Sequence, residues 1–211
     1  RASYDWENII PVNKSPHLMN KLGYVGALFP ESTLLLIVRD VYSHSASMKY
    51  HFEKLHKADG RTYFMEDSPE ACYSQTYGEL PEGKPSFPGN FSIIPELWIR
   101  MNTLAFKELN EATFKQKIVV SYEDLVTNQK GTLTAVFEAL KLMQSHATAS
   151  REIAVKATVL VNTTTEGNPL EKWKHQLSSE EVAIIDGALS KHAEDYAYIT
   201  TSLEQMKIRP E

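Results

Sequence analysis

Cysteine is nearly absent from this chain, because Cys72 is the only one among 211 residues. A single cysteine cannot form an internal disulfide, and it cannot supply the cysteine cluster of a zinc or iron–sulfur site. We therefore expect Cys72 to be a free thiol with a structural role, and we predict no metal site. The hydrophobic content of 42% is that of an ordinary globular protein, so burial of apolar side chains can stabilise the fold.

Long hydrophobic runs and an excess of positive charge are also missing. No apolar run approaches the roughly 20 residues that span a bilayer, and the first residues do not resemble a signal peptide. The formal net charge is −5, whereas binding to a nucleic-acid backbone needs clustered positive charge. The sequence therefore predicts no membrane span, no nucleic-acid partner and a cytoplasmic location. The alternative location is the Golgi lumen, reached through an anchor upstream of this chain.

Segments typical of strands and of helices alternate along the sequence. Apolar patterns predict strands at 33–38 and 117–121, and helices at 16–28, 45–55, 93–110 and 132–142. Ser178 and Glu181 form the pattern of a capping box that begins a last long helix. Residues 154–161 fit a helix or a strand equally well. This alternation is typical of an α/β fold with a parallel central sheet covered by helices on both faces, and we expect one domain spanning 1–211.

Residues from about 57 to 90 are rich in proline and glycine and carry scattered aromatic side chains. A connection of this length inside a compact domain is usually either functional or disordered. Because the aromatic residues favour an ordered structure, we expect an insert loop that acts as a substrate lid.

The segment 34–47 carries the most chemical information. An apolar strand runs directly into Arg39 and Asp40, and Ser47 follows eight residues after the arginine. The carboxyl edge of a parallel sheet and the helix N-terminus that follows it both favour anions. An arginine fork and a nearby hydroxyl can hold one phosphate together. On the pattern alone, an ordinary surface ion pair between Arg39 and Asp40 is the favoured alternative to a phosphate site.

Several motifs occur together in an order that resembles one enzyme family, the sulfotransferases that use 3′-phosphoadenosine-5′-phosphosulfate (PAPS). The motifs are Lys14-Ser15-Pro16, Leu28-Phe29-Pro30, Arg39-Asp40 with Ser47, Tyr122-Glu123-Asp124, and the segment 168–174 with Lys172-Trp173. The resemblance implies a sulfotransferase fold related to that of P-loop NTPases. It also implies transfer of a sulfuryl group from PAPS to a hydroxyl of a carbohydrate, protein or small-molecule acceptor, which leaves 3′-phosphoadenosine-5′-phosphate (PAP).

The resemblance assigns roles to five residues of this chain. Arg39 and Ser47 match the pair that holds the 3′-phosphate of the cofactor, and Tyr122 matches a tyrosine near the adenine. Lys14 matches the lysine that neutralises charge on the leaving phosphate. His17 is the candidate general base, although it lies one residue beyond the position of the family's histidine. The alternatives are a solvated Lys14, a structural His17 and a Tyr122 that only covers the core.

Two features depart from the family pattern. No glycine-rich loop for the 5′-phosphosulfate precedes Lys14, so we expect a chain truncated at its N-terminus or, as the less favoured alternative, an inactive one. Residues 165–168 replace the basic run that precedes the C-terminal tryptophan in the cytosolic small-molecule branch. Two competing functions stay open, namely a phosphate-loop kinase-like enzyme and a catalytically inactive PAP-binding or scaffold module.

Overall fold

The computed structural model describes residues 11–68, 71, 73–141 and 168–209. Cys72 and the segment 154–161 lie outside these residues, so the expectations for them stay untested. The described elements begin with a 3-10 helix at Pro16–Leu18. In chain order the others are α1 Leu22–Leu28, β1 Thr33–Val38, α2 Val41–Asp59, β2 Thr62–Phe64, β3 Ser74–Thr76, β4 Ser86–Phe87, α3 Ile93–Glu111, β5 Gln116–Ser121, α4 Tyr122–Thr127, α5 Gln129–Ala139, α6 Trp173–Gln176, α7 Ser179–Lys191 and α8 Ala193–Met206.

A parallel pair of strands, β1 and β5, organises the part of the molecule that concerns function. The pairing runs from Thr33 opposite Gln116 to Val38 opposite Ser121. Both strands therefore end at the same edge of the sheet, and the residues that follow them leave the sheet side by side. The chain is thus a mixed α/β protein with a small parallel sheet and helices.

Helices cover the two strands unequally. In β5, Val119 packs into the main core, whereas Ile118 and Val120 pack on the opposite face, in the cluster that includes Val136 of α5. In β1, one face is buried, but Leu35 and Ile37 on the other face are 44% and 50% exposed. Helices were predicted to cover both faces of the sheet. In the described residues this holds for β5, because α5 packs against it, but not for β1, which has one exposed face.

Helix α3 forms the centre of the main core. Its residues Ile94, Phe106 and Leu109 are fully buried, and it packs against α1, α2, α7 and α8. The capping box predicted from Ser178 and Glu181 is confirmed, with both of its hydrogen bonds formed. The sequence pattern missed the break at His192 that separates α7 from α8.

The segment predicted as a lid loop instead contains a small antiparallel sheet in the order β3-β2-β4. Tyr63, Phe64 and Phe87 of this sheet are buried, and the Tyr63 ring stacks on Phe52 of α2 at a centroid distance of 3.7 Å. Three of the aromatic residues that suggested order are therefore core side chains and attach this sheet to α2, whereas Tyr77 is 61% exposed.

The single helix predicted from Pro16 to Leu28 is wrong, because the chain breaks at Lys21 between the 3-10 helix and α1. The predicted apolar face fails with it, since Leu22 is buried but Leu28 is 53% exposed. The residues that precede Pro16, from position 11 onward, form neither helix nor strand. Among the described helices, none is long and apolar enough to cross a membrane.

Candidate functional site

Arg39 and Tyr122 meet at the carboxyl edge of the β1–β5 pair. Because Val38 lies opposite Ser121, the next residue of each strand leaves the sheet at the same level. The guanidinium carbon of Arg39 lies 4.6 Å from the centroid of the Tyr122 ring. A cation over an aromatic ring contributes about 0.5–2 kcal/mol, depending on its exposure. Two residues assigned separately to one cofactor from sequence are therefore in contact.

The guanidinium of Arg39 has a hydrogen-bond donor that no described protein group accepts. Its Nη2 donates to the carbonyl oxygen of Pro169 at 3.2 Å. Its Nε is buried and has no hydrogen-bond partner, and no carboxylate of the described residues forms an ion pair with Arg39. A buried donor without a partner is costly. An oxyanion is the ligand that would satisfy this donor and the positive charge together.

Two carboxylates hold this edge of the sheet in place. Asp40 caps α2 by accepting from the Ser43 N–H at 2.8 Å. Glu123 accepts from the Asp40 N–H at 3.0 Å with Oε1, and from the Ser121 hydroxyl at 3.0 Å with Oε2. These bonds join the ends of β1 and β5. Because both carboxylates add negative charge nearby, an anion at this edge depends on Arg39 for its binding.

Further polar side chains lie in the first turns of α2. The hydroxyls of Ser43 and Ser45 are buried without a hydrogen-bond partner. Burial, reinforced by the positive charge of Arg39, lowers the pKa of His44 to about 4. His44 is therefore neutral at pH 7 and leaves Arg39 as the cation of this group.

Ser47 lies exposed in the second turn of α2. No hydrogen bond joins it to Arg39 in the described structure. Ser47 lies one helical turn beyond Ser43, and Ser43 lies in the turn of α2 next to Arg39. The two serine side chains therefore lie on the same side of the helix. The expected position of Ser47 early in this helix is confirmed, and its contact with a shared phosphate stays a prediction.

The C-terminal segment with Lys172-Trp173 lies against the start of α2. The Trp173 ring stacks on Tyr42 at 4.8 Å, and the Tyr42 hydroxyl donates to Asp186 at 2.5 Å. Burial, together with this hydrogen bond, raises the pKa of Tyr42 to about 12. Sequence reasoning missed the role of Pro169, whose carbonyl oxygen binds Arg39, because a backbone acceptor has no signature in sequence.

Lys14 and His17 form no hydrogen bond or ion pair with the described residues of this edge. Both side chains are exposed, and neither forms a hydrogen bond or ion pair with Arg39, Ser47 or Tyr122 within the described ranges. Lys14 lies in the irregular stretch from residue 11 to the 3-10 helix. His17 instead lines an open pocket of about 540 Å³. The structure thus brings together Arg39 and Tyr122 but not the two residues predicted to be catalytic.

No group of three or more His, Cys, Asp or Glu side chains among the described residues is arranged to hold a metal ion. The chain matches no protein-family model, no curated protein and no solved structure.

Proposed function

We propose that this chain binds the 3′-phosphate of PAPS at Arg39 and transfers the sulfuryl group of PAPS to a hydroxyl acceptor. The observation that carries the proposal is the Arg39–Tyr122 pair, in which a buried guanidinium Nε has no partner and no carboxylate of the described residues forms an ion pair with Arg39. A guanidinium in this condition is suited to an oxyanion. The order of the sequence motifs supports PAPS as the source of that oxyanion.

The residues at the edge of the sheet fit such a nucleotide. Arg39 would bind the 3′-phosphate with the donors that Pro169 does not occupy, and Ser47 would add a hydroxyl donor from α2. The Tyr122 ring lies under the guanidinium carbon at 4.6 Å and would limit its movement. PAPS supplies the activated sulfuryl group, and the protein supplies position and charge.

Sulfuryl transfer makes two further demands on the protein. Negative charge on the leaving phosphate must be neutralised, and the acceptor hydroxyl must lose its proton. Lys14 is our candidate for the first task and His17 for the second. Both side chains are solvent-accessible, so a substrate can reach them.

A second candidate function is binding of PAP without transfer. It is favoured by the exposure of Lys14, because no hydrogen bond or ion pair with a described residue directs this lysine toward the nucleotide at Arg39. Release of PAP from PAPS in the presence of a mixture of hydroxyl acceptors distinguishes the two functions. An inert chain that binds PAP tightly would establish the binding module.

Calorimetric titration with PAP, adenosine 5′-phosphate and adenosine 2′,5′-bisphosphate tests the binding step. The third ligand carries the same charge as PAP but places one phosphate on the neighbouring oxygen. A charge-assisted contact of about 1.5–3 kcal/mol predicts that PAP binds about 10- to 150-fold more tightly than adenosine 5′-phosphate. The 2′,5′ isomer should lose most of this advantage. Equal affinities for all three nucleotides would overturn the proposal.

A further inference from the structure

Another cavity, of about 320 Å³, lies between helix α3 and the break that separates α7 from α8. We call it the α3–α8 pocket. On one side of it, Lys191 pairs with Glu96 at 2.9 Å. On the other side, the Tyr198 hydroxyl accepts from the Asn110 amide at 3.2 Å. Residues 192–195 therefore pass over the middle of α3, and the volume between them is large enough for a small molecule.

Helix α3 presents a basic face to the α3–α8 pocket. Arg100, Thr103 and Lys107 line the pocket and follow one another at spacings of three and four residues, which places them on one side of the helix. The Arg100 Nη1 donates to the carbonyl oxygen of Glu66. The Lys107 Nζ lies 6.0 Å from the centroid of the Tyr198 ring. Among the described residues, no carboxylate forms an ion pair with Arg100 or with Lys107.

A buried hydroxyl lies between these two cations on the same face. Thr103 is 8% exposed, and its Oγ1 is buried without a hydrogen-bond partner. A buried hydroxyl in this state gains free energy when a ligand supplies a polar atom. Because Arg100 and Lys107 flank Thr103 along α3, an oxyanion is the group that would satisfy the hydroxyl and the positive charges together.

The opposite wall of the pocket carries a negative charge. Asp195 lies in the first turn of α8, lines the pocket and forms no ion pair with a described residue. Glu96 also lines the pocket, but Lys191 neutralises it. A simple anion would be attracted by Arg100 and repelled by Asp195. A ligand that carries both an oxyanion and an ammonium group is complementary to both walls.

An apolar part of the lining indicates what else the ligand carries. Met65, Ile99 and Leu104 contribute aliphatic side chains to the pocket, and such side chains favour burial of an apolar group. A carboxylate, an ammonium group and an aliphatic side chain occur together in an α-amino acid.

We propose that the α3–α8 pocket binds a free α-amino acid with an aliphatic side chain. Arg100 and Thr103 bind its carboxylate, and Asp195 binds its ammonium group. This inference is independent of the proposed function, because none of the residues assigned to the nucleotide or to sulfuryl transfer lines this pocket.

Calorimetric titration of the 211-residue chain with L-leucine, L-leucinamide and N-acetyl-L-leucine tests the two charges separately. Leucinamide keeps the ammonium group and lacks the carboxylate, whereas N-acetyl-L-leucine keeps the carboxylate and lacks the ammonium group. Leucine should bind at least about tenfold more tightly than either analogue. Glycine should bind more weakly than leucine, because it has no side chain to bury. The absence of leucine binding, or equal affinities for leucine and either analogue, would overturn the inference.

Two charge-removing variants assign the ligand's groups to the two walls. Arg100→Gln should weaken leucine binding at least about fivefold and change leucinamide less than about twofold, because leucinamide has no carboxylate. Asp195→Asn should weaken leucine binding by a similar factor and change N-acetyl-L-leucine less than about twofold. Arg209→Gln and Glu194→Gln remove the same charges at exposed positions outside the pocket and should change neither affinity. If a control variant weakens leucine as much as its matched variant, overall charge explains the loss and the proposed site is wrong.

Thr103→Val tests the pocket without removing a charge. Valine keeps the shape of threonine and lacks the hydroxyl. Because this hydroxyl has no protein partner to lose, the denaturation midpoint should stay the same or rise, while leucine binding weakens about two- to tenfold. Native leucine affinity in Thr103→Val would refute the role of Thr103 in binding the carboxylate. If Arg100→Gln fails to fold through loss of its bond to Glu66, Thr103→Val and the ligand series decide the question.

Discussion

Replacement of Arg39 by alanine is the most direct test of the nucleotide site. The substitution removes the only cation that contacts Tyr122 in the described structure and removes a fork whose Nε has no protein partner. We expect Arg39→Ala to weaken binding of PAP by about 1.5–3 kcal/mol, or about 10- to 150-fold, which is the range for a charge-assisted hydrogen bond. Binding of adenosine 5′-phosphate should change far less, because that nucleotide lacks the 3′-phosphate.

The structure also predicts what the substitution does to the fold. The Arg39 carbonyl oxygen accepts from the indole N–H of Trp98 at 2.9 Å, and this bond survives because it involves only backbone. The bond from Arg39 Nη2 to Pro169 and the contact with the Tyr122 ring are both lost, which costs about 0.5–1.5 kcal/mol of stability for the first and about 0.5–2 kcal/mol for the second. The denaturant midpoint should fall by this loss of free energy divided by the slope of the unfolding transition. An unchanged slope would show that the variant keeps its fold.

Arg39→Lys and Tyr122→Phe separate charge from geometry. Lysine keeps the charge but cannot form two parallel hydrogen bonds, so PAP affinity should fall between those of the native and alanine proteins. Phenylalanine keeps the ring over the guanidinium and should leave PAP affinity within about twofold if the stacking alone matters. Calorimetry on the four proteins with PAP and adenosine 5′-phosphate measures all of these effects. Equal losses for the two nucleotides in Arg39→Ala would refute the 3′-phosphate assignment.

Two further predictions concern stability. Because the pKa of His44 falls from 6.5 in a model peptide to about 4 in the fold, the unfolded chain binds more protons between these values. Stability should therefore be lost as the pH falls from 6.5 to 4, by up to about 3 kcal/mol, and urea titrations of His44→Gln should show a flatter dependence on pH. A Cβ at Gly26 would lie 2.7 Å from the carbonyl oxygen of Thr113, so Gly26→Ala should destabilise by about 1–3 kcal/mol. At Gly23, also in α1, a Cβ would meet no atom within 4 Å, so Gly23→Ala should instead stabilise by about 0.5–1 kcal/mol; equal denaturation midpoints for the two alanine variants would contradict this reasoning.

Local signals in the sequence predicted the elements that position the site. The apolar run before Arg39 gave the bounds of β1 correctly, and the capping box at Ser178 gave the start of α7. Such signals act over a few residues, where strand propensity and backbone capping decide the structure. The sequence predicted a parallel sheet but not the register in which β1 and β5 pair. Thr33 and Gln116 pair although they are 83 residues apart, and no local signal specifies a register over that separation.

Long-range packing explains the failures. Proline and glycine in the segment 57–90 suggested a loop, but Tyr63 and Phe87 are buried and draw short strands into the core. The break at Lys21 is equally hidden from hydrophobic periodicity, because Leu18 and Leu22 keep helical spacing on both sides of it. Tertiary burial overrides local preference in both places. The position of His17 in a pocket with Arg61 follows from this packing and could not be predicted from a motif.

Helix α2 runs from the Arg39 edge to the pocket that His17 lines. Ser43, Ser47, His51 and Leu55 follow one another at intervals of four residues, which places them along one slowly turning face of the helix. The first lies beside the Arg39 edge, and the last two line the pocket that contains His17. Because His17 lines that pocket, the chemistry proposed for His17 requires an acceptor that extends from the pocket to the nucleotide at the Arg39 edge.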